Sequence, residues 1–472
     1  MQLIQILILS SILICFRIFF WPRSKGWLLF ILSLIAIYWF QSPSTIRHLS
    51  FWLPTILLSI AVLGWRIIFS NGKVISRDDY SALVLIFGLP IIFYFIRLIG
   101  VTGINFISNS PQLISLLIFP CSITLFLIIS TRFNSIRKYF PGFLLVFILI
   151  LLIILKNQAL ANQLSSSLRL ISGQSTALAS SFDISWVGFS YFAFRLIHML
   201  VDRERLKKFD TSLRNFVTFL VFFPAFTAGP IDRFEHFSAE LNKPEENDQN
   251  SDFVDGLRRI FIGLFQKFIL ADTLAKISLS SYSANMVNKP LWLWVSLYAY
   301  TFRIFFDFSG YTEIAIGIAR IAGINLPENF KRPYLSKNIT LFWNSWHITL
   351  TQWFRTYYFN PVTRFFRLNY KNMTPVLIIL ITQISTMILI GLWHGISWNF
   401  IIWGLWNGLG LFIHNRWSEM IKPKLNFLKN TSFSTPYTFI SVIFTFHYIA
   451  LGWVWFALPT VNESLTVLNK LF

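Results

Sequence analysis

The chain has 472 residues, of which 55% are hydrophobic and 18% aromatic, while 13% are charged, against about 25% in a soluble protein. This composition excludes a soluble globular domain and indicates a polytopic membrane protein. Lysine and arginine total 40 against 20 for aspartate and glutamate, a formal net charge of +20. The basic residues lie in short loops between apolar stretches, so membrane topology and anionic lipid head groups explain them better than nucleic acid does.

Apolar stretches long enough to cross a hydrocarbon core of ~30 Å recur along the chain. The clear ones are 25 to 41, 50 to 69, 80 to 100, 111 to 130, 139 to 155, 291 to 308, 374 to 393, 396 to 413 and 437 to 457. Four further stretches, at 3 to 21, 184 to 201, 213 to 230 and 257 to 271, would bring the total to roughly eleven to thirteen helices. The sequence therefore predicts an all-α fold, because backbone groups inside a bilayer must satisfy one another within helices.

The N-terminal part of the chain carries little chemistry. Its first apolar segment follows Met1-Gln2 without a basic region or a cleavage pattern, so we expect a retained helix. Cys15 and Cys121 both lie in apolar runs, which argues against a disulfide framework or a thiolate metal site. From about residue 184 onward, polar and ionisable residues enter the apolar spans and must face a bundle interior. We therefore predict mostly lipid-facing helices over 1–180 and a functional core over 181–472.

Residues 215 to 236 contain a break at Gly229-Pro230 that a straight span would not favour. A basic loop at 203 to 214 precedes them, and Arg258-Arg259 follows beyond a polar, acidic insertion at 237 to 256. If both basic segments are cytoplasmic, the chain enters and leaves the membrane on one side. This pattern predicts a re-entrant hairpin that other helices bury.

Asp307 and Glu313 flank Ser309-Gly310, where we predict a break in an apolar helix. A buried carboxylate there would orient a histidine or pair with a basic residue such as Arg303. Ser309 lies outside any G-x-S-x-G context, so a helix-packing role is favoured over that of a nucleophile. Asp307 and Ser309 are candidate supporting residues of a functional site.

Residues 342 to 358 predict an amphipathic helix near a membrane interface that presents His347 inward. One face carries Trp343, His347, Leu350, Phe354 and Tyr357 or Tyr358. The other face carries Asn344, Thr351, Gln352 and Arg355, and Ser336, Asn338 or Thr340 could cap the helix. The pattern leaves two roles open for His347, a hydrogen-bonded structural residue or part of an active site. Asn344 is a candidate supporting residue.

Thr374-Pro375 is a strong helix start, and the apolar run that follows ends at Trp393-His394-Gly395, where glycine can end the helix. His394 would then lie deep in the membrane at a helix C-terminus, where the dipole favours a protonated imidazole. An imidazole inside a bilayer is costly and rare, and it can take a proton from a hydroxyl. We therefore predict that His394 is a catalytic base. Trp346 and Trp393, adjacent to the histidines, are candidate substrate-binding residues.

The remaining polar residues have simpler roles. Asn399 is a further candidate supporting residue, although an interhelical hydrogen bond explains both it and Asn407. The histidines without a supporting motif are expected to be structural or interfacial: His48, His236, His414 and His447. No metal-ligand spacing such as H-E-x-x-H and no phosphate-binding loop occurs, so we predict no metal and no permanently bound cofactor. Acyl transfer fits this chemistry, and a transporter or flippase using intramembrane His and Asp is the alternative from another class.

At these residues the chain resembles the membrane-bound O-acyltransferase superfamily, particularly its bacterial branch of alginate O-acetylation and teichoic-acid D-alanylation proteins. The resemblance covers roughly residues 184 to 472 and rests on several motifs in order. They include FFPAFTAGPIDRF (222–234), DFSGYTEIAIGIARIAGINLPENFKRPYLS (307–336), FWNSWHITLTQWFRTYYF (342–359) and GLWHGISWNFIIWGLWNGL (391–409).

The resemblance implies that His394 is the catalytic histidine and His347 a second active-site histidine beside a central tunnel. It implies direct attack of an acceptor hydroxyl on an acyl thioester, with acetyl-CoA or an acyl carrier protein as co-substrate at the cytoplasmic side. Location in the cell (inner or plasma) membrane and an extracytoplasmic acyltransferase partner are expected with it.

The resemblance thus predicts transfer of an acyl group, with acetyl as the favoured group, to a cell-surface polysaccharide or to a partner protein that delivers it there. D-alanyl or lipid acyl transfer is the alternative within the superfamily. The ending at 452–472 is more similar to the polysaccharide O-acetylation branch. Glu313, where that branch usually has Asp, and Asn344-Ser345, where it has a basic pair, depart from its pattern.

Overall fold

The structure is a computed structural model that describes residues 3–20, 25–69, 75–98, 111–118, 120–122, 134–206, 209, 211–243, 249–420 and 434–472. Regular structure within these ranges is entirely helical, with no strand. The predicted all-α fold is therefore confirmed. The chain divides into two compact units, one formed by Met1–Leu257 and Ala315–Leu326 and the other by Arg258–Ile314 and Pro327–Phe472.

Helices α1 to α10 belong to the first unit. They are α1 (Leu3–Phe20), α2 (Lys25–Trp39), α3 (Leu49–Phe69), α4 (Arg77–Leu98), α5 (Asn134–Lys156), α6 (Gln158–Ile171), α7 (Phe189–Val201), α8 (Arg203–Leu206), α9 (Leu213–Val221) and α10 (Phe234–Asn242). Short 3-10 turns occur at Thr176–Leu178, Ser181–Ile184 and Phe223–Ala225. Residues 181–257, which we predicted to belong with the C-terminal core, are part of this unit.

The other helices belong to the second unit or contribute to both. They are α11 (Gln249–Leu264), α12 (Asp272–Ala275), α13 (Ser281–Met286), α14 (Pro290–Ile321), α15 (Ile339–Trp343), α16 (Ile348–Phe354), α17 (Asn360–Asn369), α18 (Pro375–His394), α19 (Trp398–Met420), α20 (Ser434–Ala457) and α21 (Val461–Leu471). Two π-helical segments, Phe265–Ala271 and Arg355–Phe359, and a 3-10 turn at Pro333–Leu335 complete the set. The boundary between the units falls within α11 and within α14.

Five helices in the described part of the chain are long and apolar enough to cross a membrane. They are Leu49–Phe69, Arg77–Ile96, Lys138–Lys156, Pro375–His394 and Pro436–Ala457. Of the clear spans predicted from the sequence, all but one coincide with a helix. The exception is 111 to 130, because residues 119 and 123–130 lie outside the described residues.

Polar residues of α7 face the interior of the first unit, as the sequence predicts. Arg195 is 2% exposed, and its guanidinium donates hydrogen bonds to the carbonyl oxygens of Leu220, at 3.1 Å, and Ala225, at 2.8 Å. A cation beside the last carbonyls of a helix satisfies acceptors that have no partner within the helix. Arg195 thereby holds the end of α9 and the turn after it.

The segment predicted to be re-entrant is short and returns on itself. Helix α9 has nine residues, about 14 Å at 1.5 Å per residue, which is too short to cross ~30 Å of hydrocarbon. After the turn, Phe234 of α10 packs against Phe219 of α9 with ring centroids 5.4 Å apart. The backbone amide of Phe234 also donates to Nε2 of His198, at 3.2 Å. The hairpin geometry agrees with the prediction, and the membrane side of its two ends stays a prediction.

Cysteine labelling would test that topology. We expect single cysteines placed near residue 208, which lies outside the described residues, and near residue 250 to react with an impermeant maleimide from the same membrane face. Cys15 and Cys121 are free and exposed, so both are first replaced by serine. Labelling from opposite faces would mean that the segment spans the membrane and that the loop charges do not report its orientation.

Candidate active site

His394 is the last residue of α18, and local sequence signals set both ends of this helix. The Thr374 side chain caps the helix by accepting from the amide of Leu377, with Pro375 as the first helical residue. Gly395 follows as the C-terminal cap. Both helix-boundary predictions are confirmed. The histidine therefore stands at the carbonyl end of a long apolar helix.

Close packing between α18 and α19 fixes the position of His394. A Cβ atom on Gly404 would lie 2.6 Å from Cα of Ile388, and one on Gly391 would lie 2.2 Å from the carbonyl oxygen of Phe400. Both distances are shorter than any ordinary contact, so only glycine allows the helices to approach this closely. The two helices hold the histidine at the end of a rigid hairpin.

Aromatic rings surround the His394 imidazole. Its ring centroid lies 4.5 Å from that of Trp393, 4.8 Å from Phe456 and 5.8 Å from Trp403. The Phe400 ring stacks on the imidazole at 6.0 Å. Such a lining keeps the dielectric constant around the imidazole low, which strengthens any electrostatic interaction made there.

His347 lies between two short helices rather than within one long helix. Helix α15 ends at Trp343, and α16 begins at Ile348 with His347 as its N-cap residue. His347 has φ 42° and ψ 54°, a left-handed conformation that costs roughly 1–3 kcal/mol for a residue other than glycine. The prediction of one amphipathic helix over 342 to 358 was therefore wrong, although the predicted cap Asn338 does start α15 by accepting from the amide of Leu341.

The His347 imidazole is buried against aromatic rings. The residue is 3% exposed, and its ring meets the Phe308 ring edge-on at 4.6 Å. Its Nε2 atom has no hydrogen-bond partner among the described residues. Burial lowers the pKa of the imidazole from 6.5 to about 3. The ring is therefore neutral, and the unpartnered nitrogen can donate or accept one hydrogen bond.

Trp393 brings the two histidines into one site. Its indole lies 6.0 Å from the His347 ring and 4.5 Å from the His394 ring. The predicted residue Trp346 is 5% exposed and belongs to the same ring cluster, since it contacts Trp453 at 5.2 Å and Trp453 stacks on Trp403 at 5.8 Å. Sequence reasoning identified Trp346 and Trp393, but it missed Phe308, Phe400 and Phe456.

Asp307 and Ser309 lie on α14, yet neither makes a hydrogen bond to a histidine in the part of the chain that the structure describes. Asp307 is exposed and forms an ion pair with Lys267. Ser309 is buried and donates to Oε1 of Gln266 at 2.9 Å. Phe308, the residue between them, contacts His347 instead. The π-helical segment at Phe265–Ala271 thus engages the two polar side chains.

The predicted helix break at Ser309-Gly310 was wrong, because α14 is continuous from Pro290 to Ile321. Gly310 serves helix packing, since a Cβ there would lie 2.8 Å from the carbonyl oxygen of Gly263. The expected carboxylate partner also differs. Glu313 forms an ion pair with Arg259 at 2.9 Å, whereas Arg303 donates to Oγ of Ser278 at 3.1 Å.

The two candidate asparagines have structural contacts. Asn344 is exposed and accepts from Arg355 at 3.0 Å. Asn399 is buried, and its Nδ2 donates to the carbonyl oxygen of Leu458 at 2.7 Å and to Oγ of Ser464 at 3.1 Å. It ties α19 to the loop and helix after α20. Neither contact involves a histidine.

The described residues contain no group of three or more His, Cys, Asp or Glu side chains that could hold a metal ion. What the site offers is one imidazole at a helix end, a second neutral imidazole, and an apolar aromatic lining. This arrangement can take a proton from a hydroxyl and can offer a hydrogen bond to a carbonyl oxygen.

Comparisons with known proteins support this assignment of the chemistry. The sequence profile described as "MBOAT, membrane-bound O-acyltransferase family" matches residues 125–455, more than half of the chain. The chain is 32% identical to the teichoic acid D-alanyltransferase of Bacillus subtilis (strain 168) over 58% of its own length and 69% of that protein. It is 34% identical to the probable alginate O-acetylase AlgI of Azotobacter vinelandii over 61% of its own length and 53% of that protein. It is 33% identical to the peptidoglycan O-acetyltransferase of Helicobacter pylori over 54% of its own length and 46% of that protein. The chain thus spans about half the length of these last two relatives.

Proposed function

Because this chain belongs to the membrane-bound O-acyltransferase family, we propose that it transfers an acetyl group from a thioester to a hydroxyl of a cell-surface polysaccharide. The chain is a multi-pass membrane protein of an acyltransferase family. The acetyl group, the polysaccharide acceptor and location in the plasma membrane are the proposed parts. Two of the relatives described above carry O-acetylation of a polysaccharide in their names, which supports the acetyl group and the polysaccharide acceptor.

One observation carries the assignment of the chemistry to particular residues. His347 and His394, which come from different helices, meet at the indole of Trp393. Neither a packing role nor an interfacial role requires two buried or half-buried imidazoles around one ring, and a buried ionisable side chain is costly unless it has a function or a partner. We assign His394 as the catalytic base and His347 as its partner.

The proposed mechanism is direct acyl transfer. His394 accepts the proton of the acceptor hydroxyl while the hydroxyl oxygen attacks the thioester carbonyl carbon. The carbonyl oxygen takes up negative charge in the tetrahedral intermediate, and Nε2 of the neutral His347 donates a hydrogen bond to it. When the intermediate collapses, the C–S bond breaks and the leaving thiolate takes the proton from His394. The products are an ester and a free thiol.

The thioester co-substrate is acetyl-CoA or an acetylated carrier protein presented from the cytoplasm. The acceptor is reached from the opposite face, directly or through an extracytoplasmic acyltransferase partner. Both assignments follow from the chemistry, because thioesters are made in the cytoplasm and the polysaccharide lies outside the membrane. D-alanyl transfer is the second candidate, supported by the similarity to the D-alanyltransferase of Bacillus subtilis over more than two thirds of that protein.

Purified protein in detergent tests the proposal. With radiolabelled acetyl-CoA and cell envelopes from a strain that lacks the gene, we expect label to become bound to the polysaccharide as a base-labile ester. Label from a D-alanyl carrier protein but not from acetyl-CoA would favour the second candidate. Absence of transfer from either donor, with transport of a solute in reconstituted vesicles, would replace the enzyme assignment with that of a transporter, which shows no turnover without a membrane.

The acid limb of the pH profile should not come from His347. Because burial lowers the pKa of His347 to about 3, its cation forms only in strong acid, and the ring stays neutral from about pH 5 upward. We expect His347→Asn to lower kcat/KM without moving the acid limb of its pH profile. Profiles of the wild type and the variant, measured from about pH 5 to about pH 9, decide this. A displaced limb would mean that His347 itself titrates in that range.

A further inference from the structure

A short stretch of backbone, residues 329–331, runs beside the segment that carries His347. The amide of Lys331 donates to the carbonyl oxygen of Ser345 at 3.0 Å, and the amide of Ile348 donates to the carbonyl oxygen of Asn329 at 3.0 Å. These two hydrogen bonds bracket Trp346 and His347 on either side. The histidine therefore lies in a backbone pairing that spans the break between α15 and α16.

The Asn329 side chain adds a helix cap from outside the helix. Asn329 is 0% exposed, and its Oδ1 accepts from Oγ1 of Thr349 at 2.6 Å and from the Thr349 amide at 3.3 Å. An N-cap side chain would ordinarily accept from an amide in this first turn. His347 occupies the N-cap position but makes no such bond. Asn329 thus takes over the capping, and the imidazole is not needed for it.

Phe330, the residue after Asn329, holds the same site from the ring side. Its ring contacts Trp346 at 5.1 Å and Phe308 at 5.1 Å, both edge-on. Phe308 in turn contacts the His347 imidazole at 4.6 Å. Asn329 and Phe330 therefore constrain the backbone and the ring of His347 together.

We propose that Asn329 is a positioning residue that holds His347 in its left-handed conformation and aims the unpartnered Nε2 at the reacting carbonyl. The proposal rests on the function proposed above. The left-handed conformation of a histidine persists only where its surroundings enforce it. The hydrogen bonds of Asn329 to Ile348 and Thr349 supply that enforcement at the residues directly after the histidine.

Replacing the cap tests the proposal. We expect Asn329→Ala to lower kcat by ~10- to 100-fold, because a small misplacement of a reacting group has an effect of that size, with KM for acetyl-CoA nearly unchanged. Thr349→Val removes one of the two capping bonds and should lower kcat by a smaller factor. Thr349→Ser keeps the hydroxyl and is the matched control with a normal rate. Rates are measured with purified protein, radiolabelled acetyl-CoA and envelopes.

A double-mutant cycle separates positioning from general support of the fold. If Asn329 acts through His347, Asn329→Ala has no further effect on the rate of His347→Ala. A loss that multiplies in the double variant would overturn the proposal, as would a normal rate for Asn329→Ala alone. If Asn329→Ala cannot be purified, Thr349→Val takes its place in the same cycle, with the same two outcomes.

Hydrogen exchange gives a readout that does not depend on the reaction. We expect amide exchange across residues 345–354 to become faster in Asn329→Ala, while the peptide that covers α19 is unchanged. Unchanged exchange at 345–354 would show that Asn329 does not hold the segment. If exchange is faster in Asn329→Ala but the wild-type protein transfers no acyl group from any donor, Asn329 still holds the segment and only the proposed function is overturned.

Discussion

Replacing His394 by alanine is expected to remove acyl transfer while leaving a folded protein. A general base contributes ~10²- to 10⁴-fold to a rate, and His394 is the only proton acceptor assigned to the acceptor hydroxyl. The imidazole is half-buried, at the end of a helix whose position depends on glycine contacts and not on this side chain. We therefore expect the variant to insert and purify normally. The measurement is transfer of radiolabel from acetyl-CoA to envelope polysaccharide.

His414→Ala is the matched control for that result. His414 lies on α19, and its Nδ1 shares a hydrogen bond with Oγ1 of Thr340 at 2.9 Å, a contact that serves packing. We expect this variant to transfer acetyl groups at nearly the wild-type rate. Near-normal transfer by His394→Ala, or equal losses in both variants, would remove His394 from the catalytic role.

The combined loss of both histidines should be far smaller than the product of the two single losses. If His394 takes the proton and His347 stabilises charge on the carbonyl oxygen, each single alanine variant loses at least ~100-fold in rate. Both groups stabilise one transition state, so removal of the second histidine lowers the rate less once the first is already absent. Rates of the two single variants and of the double variant, measured in one preparation series, give the coupling.

One substitution in the same ring cluster serves as the control. Phe456→Leu changes the aromatic ring beside His394, at 4.8 Å, and keeps an apolar side chain. Its effect should be small and should multiply with that of His347→Ala. A His347→Ala enzyme of near-normal rate would reduce His347 to a packing residue, and two losses that multiply fully would mean that the histidines act in separate steps.

Local sequence signals explain why the position of His394 at the end of its helix could be predicted. Thr374-Pro375 and Gly395 act on their own helix, through one cap bond and one helix end, so they require no knowledge of the tertiary structure. The apolar length of the run between them then places the histidine at the far end. The same holds for most of the spans, because each is a property of one uninterrupted stretch.

The surroundings of His347 could not be predicted in this way. Residues 342 to 358 have helical periodicity, yet the helix breaks at His347 because residues 329–331 pair with it from another part of the chain. The spacing of apolar residues within one segment carries no information about a partner segment elsewhere in the chain. The motif that includes Asn329 was visible in the sequence, but its role depends on which backbone groups the fold brings beside it.

The polar residues of α14 show a related limit. Asp307, Phe308 and Ser309 are consecutive, so they point about 100° apart around the helix. Sequence reasoning favoured the two polar residues as supports for a histidine, whereas the structure turns the phenylalanine toward His347. Lys267 pairs with Asp307 and Gln266 accepts from Ser309. The packing of the segment that carries these two residues therefore decides which face of α14 contacts His347.

The left-handed backbone at residue 347 restricts which amino acids evolution or a protein engineer can place there. Residues branched at Cβ are strongly disfavoured at positive φ, whereas glycine, asparagine, aspartate and histidine are the most tolerant. Among these, only asparagine shares with histidine a neutral side chain that both donates and accepts a hydrogen bond. The backbone conformation and the hydrogen-bonding requirement together therefore allow two residues at this position, histidine and asparagine. Exchange of one for the other is the substitution that this position tolerates best.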